Sequence, residues 1–210
     1  MAPLASAEQE PAIVGAHDAE LLLDIAATTL NAALAGRAPA RPDLAGLPPQ
    51  LHGKHGVFVT LRVAGELNGC IGTVECAEPL GHAVARLALS AAFEDPRVRA
   101  LRGADLPHLS IEISLLTPLD PLPAVNRDEL LGSIGPGIDG LLIRGTVCHG
   151  VLLPSVWEAL PDPDDFLDAL WQKAGLPPRT WPRDLSAFRF ATQHLARIQP
   201  NPGPGRLITS

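Results

Sequence analysis

Tyrosine is absent from the sequence, and aromatic residues make up only 4% of its 210 residues. A folded core must therefore rest on leucine, valine, isoleucine and alanine. Such a core is feasible because 46% of the residues are hydrophobic, a content that argues against global disorder. Cysteine is scarce too, and three cysteines without a regular spacing supply no disulfide framework. Because Met1–Gly15 lacks the basic start and apolar core of a secretory signal, the reducing cytoplasm is the expected compartment.

Clusters of basic residues and long apolar runs are also missing. The 16 lysines and arginines are scattered among 23 acidic residues, and the formal net charge is −7. Binding to a phosphate backbone depends on clustered Lys and Arg, so this composition disfavours a nucleic-acid partner. No apolar run approaches the ~20 residues of a membrane span, so no membrane partner is expected.

Hydrophobic periodicity predicts three helices and a set of hairpin strands. The first helix should begin at Asp18, a good N-cap, and close at Gly36. An alanine-rich helix should start at Pro79, and a third should have Asp162 as its N-cap. Period-two alternation and turn glycines predict strands at residues 56–63, 67–75, 109–115, 141–144, 147–153 and 188–191.

Hairpin connections imply antiparallel pairing, and helices gathered on one face of a sheet make the fold class α+β. We predict a single domain with two subdomains over residues 17–198. It should be preceded by a mobile segment at residues 1–16 and followed by a disordered tail, rich in proline and glycine, at residues 199–210. The proline-rich segment 37–55 contains leucines that need burial, so it should be an ordered crossing loop.

A series of motifs, in order over residues ~17–195, resembles the AMMECR family. These motifs are Gly56–Leu61, Leu67–Gly72, Asp95–Arg97, Leu109–Ser114, Gly140–Ile143, Leu152–Pro154 and Phe166–Pro177. The resemblance implies a central antiparallel sheet flanked by helices, with a smaller α/β subdomain packed beside it to form a cleft at the cysteine motif. Some relatives are similar to proteins that occur beside, or fused to, Memo-like and radical-SAM proteins, which implies a shared modification pathway.

Two positions depart from the family pattern. Asn68 stands where the family motif usually has arginine, and Ser155 follows Leu-Leu-Pro where relatives have glutamine. The missing arginine removes a planar, permanently charged donor. Clamping a carboxylate or phosphate would then require Arg62 or Arg97 in its place.

The stretch around Cys70 is the main candidate site. If its strand is regular, Asn68, Cys70 and Gly72 share one face, and glycines there suit the close approach of a backbone or a ligand. One interpretation makes Cys70 a nucleophile beside exposed backbone N–H groups. The other makes it a small buried cysteine whose glycines accommodate the alanine-rich helix. The substrate-binding candidates are Asn68, Gly69, Gly72, Arg62 and Arg97.

Three further features could assist a reactive cysteine. His82, in the first turn of the alanine-rich helix, is the nearest histidine and would activate the thiol, or else it is a solvated surface residue. Glu112 falls in a matching motif and would act as a general base or substrate anchor if it lines a cleft, or else it faces water. Asp95 and Arg97 would form a local ion pair or cap.

No cofactor and no metal site are predicted. Cys70 and Cys76 form no close pair, and the adjacent Cys148 and His149 would point to opposite faces of a strand. The glycines at residues 132–140 match neither a phosphate-binding loop nor a dinucleotide-binding pattern.

Two hypotheses of function follow. The first is an enzyme or enzyme component that acts on a small molecule or a protein side chain, with Cys70 as nucleophile and Glu112 and His82 assisting. The second is a non-catalytic adaptor for a partner such as a Memo-like or radical-SAM protein. Its contacts would then lie in residues 37–55 and 118–137.

Overall fold

The computed structural model describes residues 12–198, which divide into two compact units. The N-terminal unit holds Ala12–Leu115 together with the described chain from His194 onward, and the C-terminal unit holds Leu116–Gln193. Residues 1–11 of the predicted mobile segment and the whole predicted tail lie outside the described residues. None of the described helices has the length and apolar character that crossing a membrane requires.

Eight strands and four α-helices make up the regular structure of residues 12–198. The strands are β1 (Val57–Val63), β2 (Glu66–Thr73), β3 (Leu109–Leu116), β4 (Asp120–Leu122), β5 (Gly140–Arg144), β6 (His149–Leu152), β7 (Ser186–Phe190) and β8 (Thr192–Ile198). The α-helices are α1 (Ala16–Leu34), α2 (Leu80–Phe93), α3 (Arg127–Leu131) and α4 (Pro163–Lys173). Short 3-10 helices cover Leu44–Gly46, Pro49–His52, Gly103–His108 and Pro154–Glu158.

The strands form two four-stranded antiparallel sheets, in the orders β2-β1-β3-β8 and β4-β7-β5-β6. The predicted α+β class with antiparallel pairing is therefore confirmed. Within residues 12–198, the predicted second subdomain has an antiparallel sheet of its own, with as many strands as the first. The segment 37–55 contains two of the 3-10 helices, and its Leu51 is fully buried.

The core of the N-terminal unit lies on one face of its sheet. Val57, Val59 and Leu61 alternate along β1 and are fully buried, because successive side chains of a strand point to opposite faces. Their neighbours across the sheet and the apolar residues of α1 and α2 join the same cluster. Burying each such side chain contributes roughly 1.5–3 kcal/mol. The other face of the sheet carries the intervening polar residues.

The first hairpin contains a β-bulge. Leu61 of β1 pairs with Gly69, and Arg62 pairs with Leu67, so Asn68 has no residue opposite it. The condition of a regular strand, under which Asn68, Cys70 and Gly72 would share one face, is therefore not met. Asn68 is the extra residue of the bulge, and its side chain is buried.

Helix α4 anchors the core of the C-terminal unit. The Asp162 carboxylate accepts hydrogen bonds from the backbone N–H of Asp164 and of Asp165, which confirms the predicted N-cap. Gly175 follows the helix with a positive φ of 70°, as a C-terminal glycine should. Phe166 stacks on Trp157 with ring centroids 3.8 Å apart.

Other boundaries differ from the prediction. Helix α1 begins at Ala16 with Gly15 as its N-cap, so Asp18 lies inside the first turn, where its charge favours the helix dipole. Strands β4 and β8 were not predicted, nor was α3, whose Asn126 side chain accepts a hydrogen bond from the backbone N–H of Glu129.

Replacing Gly69 with alanine should destabilise the protein. A Cβ atom there would lie 1.9 Å from the Ala91 carbonyl oxygen of α2, so the helix would have to move away from β2. We expect Gly69→Ala to lower the free energy of unfolding by about 1–3 kcal/mol, as overpacking does. Urea unfolding measures the change.

Gly46→Ala is the matched control, because a Cβ at Gly46 has no atom within 4 Å. Its effect should stay within about 0.5 kcal/mol. Equal stability of the two variants would contradict the close packing of β2 on α2.

Candidate functional site

Both backbone polar groups of Cys70 are bound by the Asp95–Arg97 motif. The Cys70 N–H donates to Asp95 Oδ2 at 2.9 Å, and Arg97 Nη2 donates to the Cys70 carbonyl at 2.8 Å. Strand β2 is an edge strand, so these groups have no neighbouring strand to pair with. Asp95 and Arg97 take the place of that strand.

Asp95 and Arg97 together form a clamp on the Cys70 backbone, and they also bind each other in the predicted local ion pair. Arg97 Nε donates to Asp95 Oδ1 at 2.9 Å, and Nη2 donates to Oδ2 at 2.7 Å. The Asp95 side chain is fully buried, whereas that of Arg97 is 61% exposed. Hydrogen bonds from the Arg97 guanidinium hold the pKa of Asp95 well below its usual range, although burial opposes them. Asp95, and to a smaller extent Cys70, raise the pKa of Arg97.

The half-buried Cys70 side chain lies on the polar face of the sheet. Thr60 is its cross-strand partner, and Thr60 Oγ1 donates a hydrogen bond to Cys70 Sγ at 3.1 Å. Glu112 of β3 pairs with Thr60 on the other side, so the three residues form one row across β2, β1 and β3. Two strand spacings, about 10 Å, therefore separate the backbones of Cys70 and Glu112. Any action of Glu112 would fall on a bound substrate rather than on the thiol.

Glu112 is paired with one of the predicted substrate-binding residues. Arg62 Nε donates to Glu112 Oε1 at 3.0 Å, and both side chains are partly exposed, at 40% and 37%. The pair lies on the polar face of the sheet, diagonally across β1 and β3. The structure thus places Arg62 and Glu112 together and leaves both accessible.

Asn68 lies in the bulge and points away from the row of Cys70. Its Nδ2 donates to the Arg99 carbonyl at 3.2 Å, and its buried Oδ1 has no hydrogen-bond partner among the described residues. Arg99 in turn makes two hydrogen bonds to Asp105 and lowers the pKa of that carboxyl to about 2. Asn68 therefore links β2 to the loop that follows the clamp.

The two glycines of the motif face the chain's own atoms. Gly69 lies against the Ala91 backbone, and a Cβ at Gly72 would lie 2.3 Å from the Phe58 ring. This arrangement fits the interpretation in which the glycines accommodate packing. Substrate binding by Gly69 and Gly72 stays a prediction.

His82 is bound to the proline-rich segment. Arg41 Nη2 lies 2.9 Å from His82 Nδ1, and the Pro42 carbonyl lies 2.9 Å from Nε2. The first turn of α2 thus holds residues 41–42 in place. No hydrogen bond between His82 and Cys70 occurs in the described chain, and the proposed role of His82 in activating the thiol remains untested.

Sequence reasoning missed three residues of this face. Thr60 was assigned only to a strand, although the alternation of β1 places it on the polar face with Arg62. Ser114 Oγ lies 3.1 Å from His194 Nδ1, and His194 belongs to the unpredicted strand β8. Within residues 12–198, no three His, Cys, Asp or Glu residues come together as metal ligands.

Comparison with known proteins agrees with these motifs. The sequence profile of the AMMECR1 family matches residues 23–195. The chain belongs to the AMMECR1 family. Its site residues from Arg62 to Glu112 and the whole C-terminal unit lie within the matched range.

Archaeal members of the family resemble the chain over most of its length. A protein from Methanothermobacter thermautotrophicus is 36% identical over 179 residues, which cover 82% of this chain and 90% of that protein. One from Thermococcus gammatolerans is 38% identical over 170 residues, with 76% and 80% covered. The crystal structure of an uncharacterized protein from Pyrococcus horikoshii has a TM-score of 0.79 at 30% identity, covering 91% of this chain and 97% of that one.

Asp95→Asn should remove stability that depends on pH. Unfolded aspartate has a pKa of about 3.9, and that of folded Asp95 is lower. The charge therefore stabilises the fold above about pH 4, and this contribution is lost as the pH falls through the folded pKa. We expect Asp95→Asn to lower the free energy of unfolding by about 2 kcal/mol at pH 7. The difference in the free energy of unfolding between the variant and the wild type, measured by urea unfolding, should narrow below about pH 4.

Asp120→Asn is the matched control, because Asp120 pairs with Arg189 in a bridge whose two side chains are 56% and 43% exposed. Such a surface pair contributes less than about 1 kcal/mol. If the free energy of unfolding of Asp95→Asn differed from that of the wild type by a constant amount down to about pH 2, the Asp95 charge would not stabilise the fold.

Proposed function

We propose that this AMMECR1-family protein is an enzyme or enzyme component that uses Cys70 as a nucleophile toward a small molecule or a protein side chain. The observation that carries the proposal is the hydrogen bond from Thr60 Oγ1 to Cys70 Sγ on the accessible polar face of the sheet. A hydroxyl that donates to sulfur stabilises the thiolate, which is the reactive form. The Asp95–Arg97 clamp supports the proposal because it fixes the backbone on which the sulfur is carried.

The residues around Cys70 suit covalent catalysis in two steps. The thiol proton passes to solvent, the sulfur attacks an electrophilic carbon, and the leaving group departs with the bonding electron pair. A second nucleophile then forms its bond to that carbon, and the sulfur leaves with its electrons. Because the Cys70 N–H already binds Asp95, it cannot stabilise an oxyanion. That task falls to the exposed Arg97 and Arg62, with Glu112 as base or anchor for the substrate.

The pathway remains part of the proposal. The resemblance to relatives that occur with Memo-like and radical-SAM proteins suggests that the substrate is a protein or small molecule handled by such a partner. The acidic chain, with a net charge of −7, does not favour a nucleic-acid substrate.

Thr60→Val should slow alkylation of Cys70. Valine keeps the shape of threonine but cannot donate a hydrogen bond to sulfur. The thiolate therefore loses a hydrogen bond that contributes about 1 kcal/mol. We expect the rate of iodoacetamide labelling at pH 7 to fall about fivefold. Peptide mapping by mass spectrometry separates Cys70 from Cys76 and the buried Cys148.

Cys70→Ser is the control that removes the labelled site and should also abolish any activity while the fold persists. Thermal unfolding of both variants verifies the fold. If Cys70 in the wild type reacts no faster than a free cysteine peptide, and Thr60→Val changes nothing, the nucleophile proposal fails.

A second candidate function is a non-catalytic adaptor. Large apolar side chains are exposed on loops of the C-terminal unit: Val125 at 70%, Val147 at 94% and Ile138 at 47%. Val125 lies in the segment 118–137 that the sequence suggested for partner contacts. Exposed apolar residues of this kind are common anchors of protein interfaces.

The adaptor function predicts that Val125→Ser with Val147→Ser weakens capture of a Memo-like protein from the native host at least about tenfold in a pull-down. Cys70→Ser should leave that capture unchanged. The reverse pattern, with loss only in Cys70→Ser, would favour the enzyme over the adaptor.

A further inference from the structure

The C-terminal unit carries a groove of 520 Å³ along the outer face of α4. Its walls include Leu160, Asp165, Asp168, Ala169, Leu176 and Pro178. Asp165, Asp168 and Ala169 share one helical face, because residues three and four apart are neighbours on an α-helix. The volume falls within the range of about 300–1,000 Å³ that is common for ligand sites.

The groove combines an apolar floor with two carboxylates. Trp171, which is almost fully buried, contributes to the floor beside leucine, alanine and proline side chains. Asp168 forms an ion pair with Arg127 of α3, in which Asp168 Oδ1 lies 2.8 Å from Arg127 Nη2. Asp165 has no ion-pair partner among the described residues, and the lining residues include no Lys, Arg or His. The complementary group is a cation on an apolar stem.

Arginine and lysine side chains have this chemistry, since their methylene stems cover apolar surface while the charged head reaches a carboxylate. Arginine fits best, because its planar guanidinium binds a carboxylate through two N–H groups. The groove follows α4 from Asp165 to Gln172, a distance of about 10 Å. That length accommodates about three residues of an extended chain.

We propose that the groove along α4 binds a short extended segment of a partner protein in which an arginine and an apolar residue stand two positions apart, and so on the same face. The arginine of the segment pairs with Asp165, and its stem and the apolar residue two positions away lie on Leu160, Ala169 and Leu176. This site is independent of Cys70, since all its residues belong to the C-terminal unit. It would serve the enzyme or the adaptor alike, as a means of holding a basic partner.

Fluorescence anisotropy with the full-length protein tests the proposal. The probe is a fluorescein-labelled serine hexapeptide that carries one arginine and one leucine two positions apart, and the reference peptide has glutamine in place of arginine. The wild type should bind the arginine peptide at least about tenfold more tightly than the glutamine peptide, and added salt should weaken binding.

Three variants localise the binding. Asp165→Asn should weaken the arginine peptide about five- to tenfold through loss of the ion pair. Ala169→Arg should abolish binding, because the new side chain fills the groove with its own cation. Asp128→Asn, the control with the same loss of charge on α3, should change the affinity less than about twofold. Thermal unfolding confirms that each variant is folded.

Equal binding of the two peptides, or an unchanged affinity in Asp165→Asn, would overturn the proposal. The last measurement is displacement of the labelled peptide by free arginine amide. If arginine amide displaces the peptide at the peptide's own concentration, the occupant is a small organic cation, and the assignment to a protein segment is wrong.

Discussion

The hydrogen bonds that the Cys70 N–H donates to Asp95 and that Arg97 donates to the Cys70 carbonyl are the interaction on which the candidate site depends. Strand β2 lies at the edge of its sheet, and an edge strand exposes N–H and C=O groups that can pair with another chain. At Cys70 both groups are satisfied by a buried carboxylate and its partner guanidinium. The motif therefore closes the edge at the one position where the strand carries its cysteine, and it fixes the sulfur beside Thr60.

The hydrogen bonds that occupy the Cys70 backbone also limit the chemistry that the site can perform. A backbone N–H bound to a carboxylate is not available to a developing oxyanion, so an enzyme built on Cys70 must use side-chain donors. Arg62 and Arg97 carry such donors, whereas the Thr60 hydroxyl already donates its proton to the sulfur. The hydrogen bond that holds the Cys70 backbone in place is the same one that occupies its N–H.

Local patterns predicted much of the fold, whereas the site depended on contacts distant in sequence. The alternation of β1 and the Asp162 cap of α4 follow from near neighbours, and the structure agrees with both. The bulge at Asn68 arises where β2 meets the Ala91 backbone of α2, a packing event that strand periodicity does not encode. The bond of Cys70 to Asp95 likewise spans 25 residues. Proximity to Cys70 in the sequence favours His82 as the residue that activates the thiol, yet the hydrogen bonds of His82 are with the proline-rich segment.

Asn68, at the position where the sequence resemblance leads one to expect arginine, gives the motif a neutral side chain. Asn68 is buried and neutral, so the charges near Cys70 are those of Asp95, Arg97, Arg62 and Glu112. They form two ion pairs and sum to zero. An arginine in the motif would add a cation that the local carboxylates do not balance, and such a site would attract a phosphate or carboxylate. With these charges balanced, the face around Cys70 carries no net charge, and any attraction for a charged partner must come from elsewhere on the chain.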